Sequence, residues 1–507
     1  MSDYFKPIPF GCPLPLENPH AVSVSLPLLQ NVIDYEEGHQ NAIAQMQSGY
    51  PRFFQNKLIE KLVEFVTAKH AISPDKMVLP ITSLKAKNIL EYLVKAEFEY
   101  VQEEDCVFLV LDNEPEFLKK CKDYIRNVGL LISSRKAEQV LYHLGQIKSI
   151  FPEEKAAVIT AEKIIKALLS KGYSKVDEDN ILLTNCGMNA LFSACEAIVN
   201  HRKSEGRNTI IQLGWLYVDT MEIIEKRSTN SHLQINIHHK HQLENWLENN
   251  HREVAVLITE VTTNPLIQCV DLPWLYTLCQ KYNVVLLVDS TIATPFNVEV
   301  LPYCDVAVES LTKFACGNAD LLLGAIVLND KNAVVKAIKN QFEQFVIPAF
   351  EGEIQRLGFQ ILDYETRIKK VSENTRILYD YLKSQSFVKE IYSVYHEDSE
   401  TNFAKIRKSE HAFPGLLSVV FDEDLAFYYD QLELAKGPSL GTEFTIAMPY
   451  VYLAHYENLK TDAGKQKLNA LGINPNLLRL SIGIEPVEEI IFAFEKLKKL
   501  KTQMLNF

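Results

Sequence analysis

The chain reads as an α/β protein: a large domain on a mostly parallel sheet, followed by a smaller C-terminal α/β domain. Three observations predict this. Short apolar runs at 181–183, 209–211, 254–258, 284–288 and 305–308 are rich in β-branched residues and leucine. Such runs fit strands covered on both faces, as in a parallel sheet. Helix-compatible stretches separate them, giving repeated strand–helix–strand units. Finally, Ile354, Leu357, Ile361, Tyr364, Ile368, Val371, Thr375, Leu378 and Leu382 recur at alternating steps of three and four. That spacing marks an amphipathic helix leading from the large domain into the smaller one.

Four regions follow in order. Residues 1–65 open with Pro7, Pro9, Pro13, Pro15 and Pro19, then enter a helix whose inner face carries Leu58, Ile59, Leu62, Val63 and Val66. Residues 66–155 hold short α/β units, with strand-like 77–79 and 107–111 alternating with helices at 117–128 and 137–144; no catalytic constellation stands out there. Residues 156–350 carry the repeated units of the large domain, and 351–507 the linking helix and the small domain. At 507 residues the chain can bury a sizeable core. A net charge of −13 argues against a nucleic-acid surface, which needs a basic stripe. No apolar run reaches the roughly 20 residues that span a bilayer, and the N-terminus lacks the plan of a secretory signal. The nine cysteines are scattered without metal-ligand spacing and read as small buried hydrophobes. A reduced, cytoplasmic setting is the expectation, with no membrane, nucleic-acid or metal partner.

The chemistry concentrates at the predicted strand ends. In parallel sheets ligands bind beyond the carboxyl ends of the strands. The run 284–288 delivers Asp289, and 305–308 leads through Ser310 and Thr312 to Lys313. A lysine and a carboxylate facing one crevice are what pyridoxal 5'-phosphate (PLP) requires: an amine to join its aldehyde and an acid opposite its ring nitrogen. Apolar neighbours Leu311, Phe314 and Ala315 favour the neutral, nucleophilic amine. A helix starting near Gly187 after the 181–183 strand offers the Gly187 and Met188 amides to a phosphate. Ser310 and Thr312 add hydroxyls, and Arg52 a guanidinium. Tyr217 follows the 209–213 run, where its ring can stack on a cofactor. Asn264, before Pro265, can hold the cofactor's phenolate oxygen or simply start a turn. Arg479, flanked by apolar residues, needs an anionic partner, and a substrate carboxylate is one. Ser439, between Pro438 and Leu440, can support the same anion.

Taken together these residues resemble the Cys/Met-metabolism family of PLP enzymes, the group around cystathionine γ-synthase. Ser48-Gly49-Tyr50-Pro51-Arg52 resembles the family's Tyr-x-Arg phosphate arm, which places Tyr50 and Arg52 at a neighbouring subunit's cofactor. The 186–190 stretch is similar to its Ser-Gly-Met-x-Ala turn, and 260–265 to its Glu-x-x-x-Asn-Pro segment. The 289–295 stretch parallels Asp-Asn-Thr-Phe-Ala-Thr-Pro, and 310–314 resembles Ser-x-Thr-Lys-Tyr. The 439–443 and 479–485 stretches match its C-terminal signatures, and the opening 19–27 resembles the longer branch known from fungi. Departures also occur. Val218 and Asp219 replace a double glycine, Asn318 a histidine, Pro438 a substrate-reading glutamate, and 66–155 is an insertion.

The resemblance implies fold type I of the PLP-dependent transferases and a homodimer or homotetramer with shared sites. It further implies small amino-acid substrates, with Lys313, Tyr217 and Asp289 as catalytic residues. The expected reaction is γ-replacement on an activated homoserine, with cysteine as nucleophile and cystathionine as product. A cystathionine or methionine γ-lyase, an O-acylhomoserine sulfhydrylase and a non-catalytic regulatory paralogue are the alternatives.

Overall fold

The computed structural model describes residues 3–51, 54–227, 232–396 and 398–504. Arg52 lies outside them. A seven-stranded sheet forms the centre of the large domain. Before it, residues 66–155 build a three-stranded antiparallel sheet from β1 (Lys76–Ile81), β2 (Glu99–Glu103) and β3 (Cys106–Asp112), in the order β1-β3-β2. Around it lie α1 (Lys57–Lys69), α2 (Leu84–Val94), α3 (Pro115–Val128) and α4 (Ser134–His143).

The two-residue period of β3 explains how this unit is attached. Val107, Leu109 and Leu111 join a core that includes Ala190, Leu191 and Ala194 of the large domain. Cys106 and Phe108 point the other way, into a separate cluster with Ile59, Leu62 and Val66 of α1 and Val140 and Leu141 of α4. Alternate side chains of a strand face opposite sides of the sheet, so one sheet serves two cores. The unit is fused to the large domain by shared apolar burial.

The large sheet comprises β4 (Ile181–Thr184), β5 (Thr209–Leu213), β6 (His232–Ile235), β7 (Val254–Glu260), β8 (Val285–Asp289), β9 (Val306–Ser310) and β10 (Gly324–Leu328). Their order is β4-β10-β9-β8-β7-β5-β6. Strand β10 runs antiparallel to both its neighbours, and β9, β8, β7, β5 and β6 pair in parallel. Every residue of β7 is buried, as a strand covered on both faces requires. Register aligns Asp289 with Glu260 and with Val308. The carboxyl ends of three adjacent strands therefore present Glu260, Asp289 and Ser310 at one edge. Helix α5 (Gly187–Lys203) starts beside them, and its buried face includes Leu191, Ala194, Cys195 and Ile198, as its spacing predicts.

The long stripe after the large domain is not one helix. It is α6 (Glu351–Gln360), a 3₁₀ turn Ile361–Asp363, and α7 (Tyr364–Lys383). Buried Arg367 explains the break: its Nη2 donates to the Gln360 carbonyl at 2.8 Å, the acceptor a continuous helix would have offered to the Tyr364 amide. The apolar phase survives the turn. Ile368, Val371, Leu378 and Leu382 are buried, each worth about 1.5–3 kcal/mol. The small domain follows with a five-stranded sheet of β11 (Val388–Tyr392), β12 (Leu416–Phe421), β13 (Ala435–Lys436), β14 (Ile446–Pro449) and β15 (Leu478–Ser481). Its β15 carries Arg479.

Candidate active site

One cavity gathers Tyr50, Gly187, Met188, Tyr217, Asn264, Asp289, Ser310, Thr312, Lys313, Ser439 and Arg479. These residues come from the N-terminal segment, five strand ends of the large domain, the loop after β9, and the small domain. Every described residue expected at the site from sequence lies on its wall.

Lys313 lines the cavity and is largely buried. Its Nζ lies 3.1 Å from Ser439 Oγ and 3.3 Å from Tyr50 Oη. Tyr50 Oη in turn lies 3.3 Å from Tyr217 Oη. One phenol and one hydroxyl thus contact the amine directly, and the Tyr217 phenol joins them through Tyr50. The Tyr217 backbone is anchored by donating to Glu260 Oε1 at 2.6 Å.

Asp289 accepts from the Thr291 amide at 2.8 Å. Loss of solvent raises its carboxyl above the ordinary 3.8, against the lowering effect of the Thr291 hydrogen bonds. Removal from water disfavours a charge unless a partner compensates, and among the described residues no cation pairs with Asp289. A protonated ring nitrogen would supply the missing charge. Beside it, Glu260 is buried and pushed well above the ordinary range, first by burial and then by the Asp289 charge. Its Oε2 is a buried oxygen with no hydrogen-bond partner.

The phosphate end is shaped by glycine. A Cβ on Gly187 would meet Ser310 Cβ at 2.7 Å, so only glycine lets the start of α5 approach the β9 end this closely. Cys186 at the N-cap makes no capping hydrogen bond. A neutral thiol accepts weakly, which leaves the first-turn amides as donors for an anion. The Ser310 amide donates to Thr291 Oγ1 at 2.9 Å. The Thr312 hydroxyl accepts from the Leu323 amide at 3.2 Å, which ties the lysine loop to the chain entering β10.

Arg479 marks the opposite wall. It is 4% exposed, and burial lowers its guanidinium to about 10. Nη2 donates to the Ser439 carbonyl at 2.5 Å and Nη1 to Asn264 Oδ1 at 3.4 Å, while Nε has no partner. Among the described residues no carboxylate lies within ion-pair distance of it. A buried guanidinium in that condition is a receptor for an anion that arrives with a ligand.

The residues present therefore fit PLP: a buried amine, an uncompensated acid, an amide-lined helix start and a phenol ring. Sequence reasoning gives no role to Glu260, although it ends an apolar strand as Asp289 does. It also assigns nothing to Arg126, Gly129 and Leu131, which line the same cavity from the 66–155 unit. No local signal marks those three, because their place depends on tertiary packing.

Comparison with known proteins agrees with this geometry. Residues 167–497 match the model of the family described as Cys/Met metabolism PLP-dependent enzyme. An L-2-amino-4-chloropent-4-enoate dechlorinase/desaturase from Streptantibioticus cattleyicolor is 31% identical, over 94% of this chain and 95% of its own. A cystathionine γ-synthase from Neurospora crassa is 28% identical, over 99% of this chain and 100% of its own. Among solved structures, cystathionine γ-synthase from Xanthomonas oryzae in complex with aminoacrylate and cysteine superposes with a TM-score of 0.57 at 19% identity, covering 68% of this chain and 88% of that one. A Campylobacter jejuni protein whose structure holds N'-pyridoxyl-lysine-5'-monophosphate gives 0.56 at 18% identity, covering 71% and 91%. These two likenesses establish a shared fold. No helix among the described residues is long and apolar enough to cross a membrane. With most of its length matched by the family model and its cavity furnished for the cofactor, the chain belongs to the Cys/Met-metabolism family of PLP-dependent enzymes.

Proposed function

We propose that the enzyme releases a leaving group from the γ-carbon of an α-amino acid and replaces it with a thiol. An activated homoserine is the electrophile, cysteine the nucleophile and cystathionine the product. The observation that carries the reading is Arg479, a buried guanidinium without a carboxylate partner on the cavity wall.

Arg479 and Ser439 bind the substrate α-carboxylate, which orients the Cα–H bond for cleavage. PLP, when bound, withdraws electrons from Cα and makes that proton acidic enough to remove. Lys313 Nζ takes the proton and returns it within the substrate; the Ser439 hydroxyl at 3.1 Å holds the amine in place between transfers. Asp289 keeps the proton on the ring nitrogen. The Tyr217 hydroxyl, coupled to Tyr50 at 3.3 Å, donates a proton to the departing γ group. Gly187, Met188, Ser310 and Thr312 hold the phosphate, and Asn264 the phenolate oxygen.

A second reading, γ-elimination without an added thiol, rests on two observations. Ile292, Leu322, Leu440, Leu453 and Ala454 make much of the remaining wall apolar, which suits a small uncharged leaving group or unsaturated side chain better than a second zwitterion. The relative at 31% identity carries dechlorination in its name. Product analysis separates the two. O-acylhomoserine is supplied with cysteine, with sulfide or with neither, beside a 4-chloro-substituted amino acid. Cystathionine formed faster than any keto acid supports replacement. Chloride release without thiol dependence supports elimination, and no turnover of any γ-substituted amino acid overturns both.

A further inference from the structure

We propose that Tyr450 and His455 are positioning residues: they hold Arg479, the receptor for the substrate carboxylate, and Asn264, the donor to the cofactor's phenolate oxygen, in fixed relation. The proposal rests on the cavity being the cofactor site and is independent of which γ-reaction occurs there.

Both residues belong to the small domain. Strand β14 ends at Pro449, and the short helix Tyr450–Ala454 follows it directly. Its start is pinned to the chain entering β15, where the Tyr450 amide donates to the Leu477 carbonyl at 3.3 Å. Tyr450 is buried and lines the cavity together with Met448, Leu453 and Ala454. Its hydroxyl donates to the Asn264 backbone carbonyl at 3.2 Å, and His455 Nε2 lies 3.3 Å from the same phenol oxygen. A carbonyl can only accept, so the phenol commits its single proton there and His455 approaches as the Nε2–H tautomer. The chain of donors runs from His455 through Tyr450 to the Asn264 backbone.

The pair touches three walls of the site at once. Asn264 Oδ1 accepts from Arg479 Nη1, which leaves the Nδ2 hydrogens of Asn264 for the phenolate oxygen. The Arg479 guanidinium lies 5.6 Å from the centre of the Tyr450 ring, within reach of its π face. His455 packs edge to face against Trp215, two residues before Tyr217, with ring centroids 5.0 Å apart. The Ser418 hydroxyl of β12 donates to the Pro265 carbonyl at 2.7 Å. The small domain therefore takes the carbonyls of both Asn264 and Pro265. Removing the Tyr450 proton would release the Asn264 backbone on one side, and with it the side chain that stands between Arg479 and the cofactor.

Tyr450→Phe tests this, because it removes one oxygen and keeps the ring beside Arg479. The probe is 2-aminoisobutyrate, an α-amino acid with no Cα–H to lose, added to the PLP-loaded enzyme and followed by the absorbance of the bound cofactor. Affinity should weaken about 5- to 150-fold, the range for leaving a buried polar group unpaired. The pH titration of the cofactor's absorbance should shift as well, because its phenolate donor has moved, and KM for a γ-substituted substrate should rise more than kcat falls. Unchanged probe affinity with an unchanged titration overturns the proposal, even in a variant that is less stable in urea, since Tyr450 would then be a packing residue alone. If Tyr450→Phe does not fold, two substitutions of its neighbour read the same chain of donors. His455→Gln keeps a donor near the Nε2 position, and His455→Phe keeps only a ring against Trp215. Probe affinity near the wild type in His455→Gln but weakened in His455→Phe supports the proposal, and equal affinities in the two overturn it. A wild-type protein that gains no absorbance with PLP would instead sink the cofactor reading.

Discussion

Replacing Arg479 by methionine separates a structural arginine from a receptor for substrate. The guanidinium falls from the ordinary 12.5 to about 10 because it is buried. At roughly 1.4 kcal/mol per pKa step, this is about 3 kcal/mol of charge burial that the fold does not offset. For a base whose folded value lies below its unfolded one, the cost is present in full at every pH below about 10 and fades only as pH rises above it. An assay at neutral pH therefore sees all of it. Methionine removes the charge and keeps much of the volume, but it leaves the Ser439 carbonyl without its donor, a loss of about 1–2 kcal/mol. In the absence of substrate the variant should thus be about 1–2 kcal/mol more stable than the wild type in urea unfolding. Binding should suffer instead. Removing one partner of a desolvated charge pair costs about 2–5 kcal/mol, a fall in kcat/KM of about 30- to 5000-fold. A non-reacting α-amino acid should stabilise the wild type by mass action and leave the variant unchanged. A variant that unfolds several kcal/mol more easily while keeping its kcat/KM would refute the reasoning and make Arg479 a structural residue.

Three further outcomes follow from the same geometry. Tyr217→Phe keeps a ring in place and removes the proton donor, so kcat should fall by about 10²- to 10⁴-fold with cofactor retention unchanged; an unaltered kcat assigns that proton elsewhere. Lys313→Ala should abolish turnover and the borohydride-trappable link to PLP, while phosphate contacts still retain some cofactor; full activity would show that the amine is another lysine. Glu309, buried and raised to about 7 mainly by burial, gives a pH dependence of stability. For an acid whose folded value lies above its unfolded one, the contribution is full below about 4.5 and is lost as pH rises through about 7. Glu309→Gln should therefore flatten the decline in urea stability between pH 5 and 8, and equal slopes in the two proteins would count against a neutral Glu309.

Much of this site was legible in the sequence because its residues sit where strands end. Apolar runs bounded by Asp289, Ser310 and Asn264 mark the carboxyl edge of a parallel sheet, and physics places ligands there. Arg479 was visible for a related reason, as a charge inside an apolar strand. Other features had no such local mark. Strands β6 and β10 escape the sequence reading; β10 begins inside the apolar stretch 321–328, which periodicity alone does not divide into entering loop and strand. The break between α6 and α7 depends on Arg367 reaching the Gln360 carbonyl, a contact that periodicity cannot reveal. Arg126 and Gly129 acquire meaning only when α3 meets Asn185 and Cys186.

The acids behind the cofactor site show why burial and charge must be read together. Glu260, Asp289 and Glu309 stand on adjacent strands β7, β8 and β9, and all three are raised by loss of water. Three buried carboxylates cannot all ionise beside one another. Glu309 accepts hydroxyl hydrogens from Tyr173 at 2.7 Å and Tyr364 at 2.6 Å, which moderates its rise to about 7. Glu260, with a single amide donor, is pushed well above the ordinary range. Asp289 accepts from Thr291 and begins from the lowest ordinary value of the three, 3.8. Burial is the first cause of the rise in each of the three. A protonated ring nitrogen beside Asp289 would offset part of the cost of burying these carboxyls. A fold selected for stability alone would gain by replacing all three with apolar residues; keeping them makes sense when a cationic cofactor completes the site.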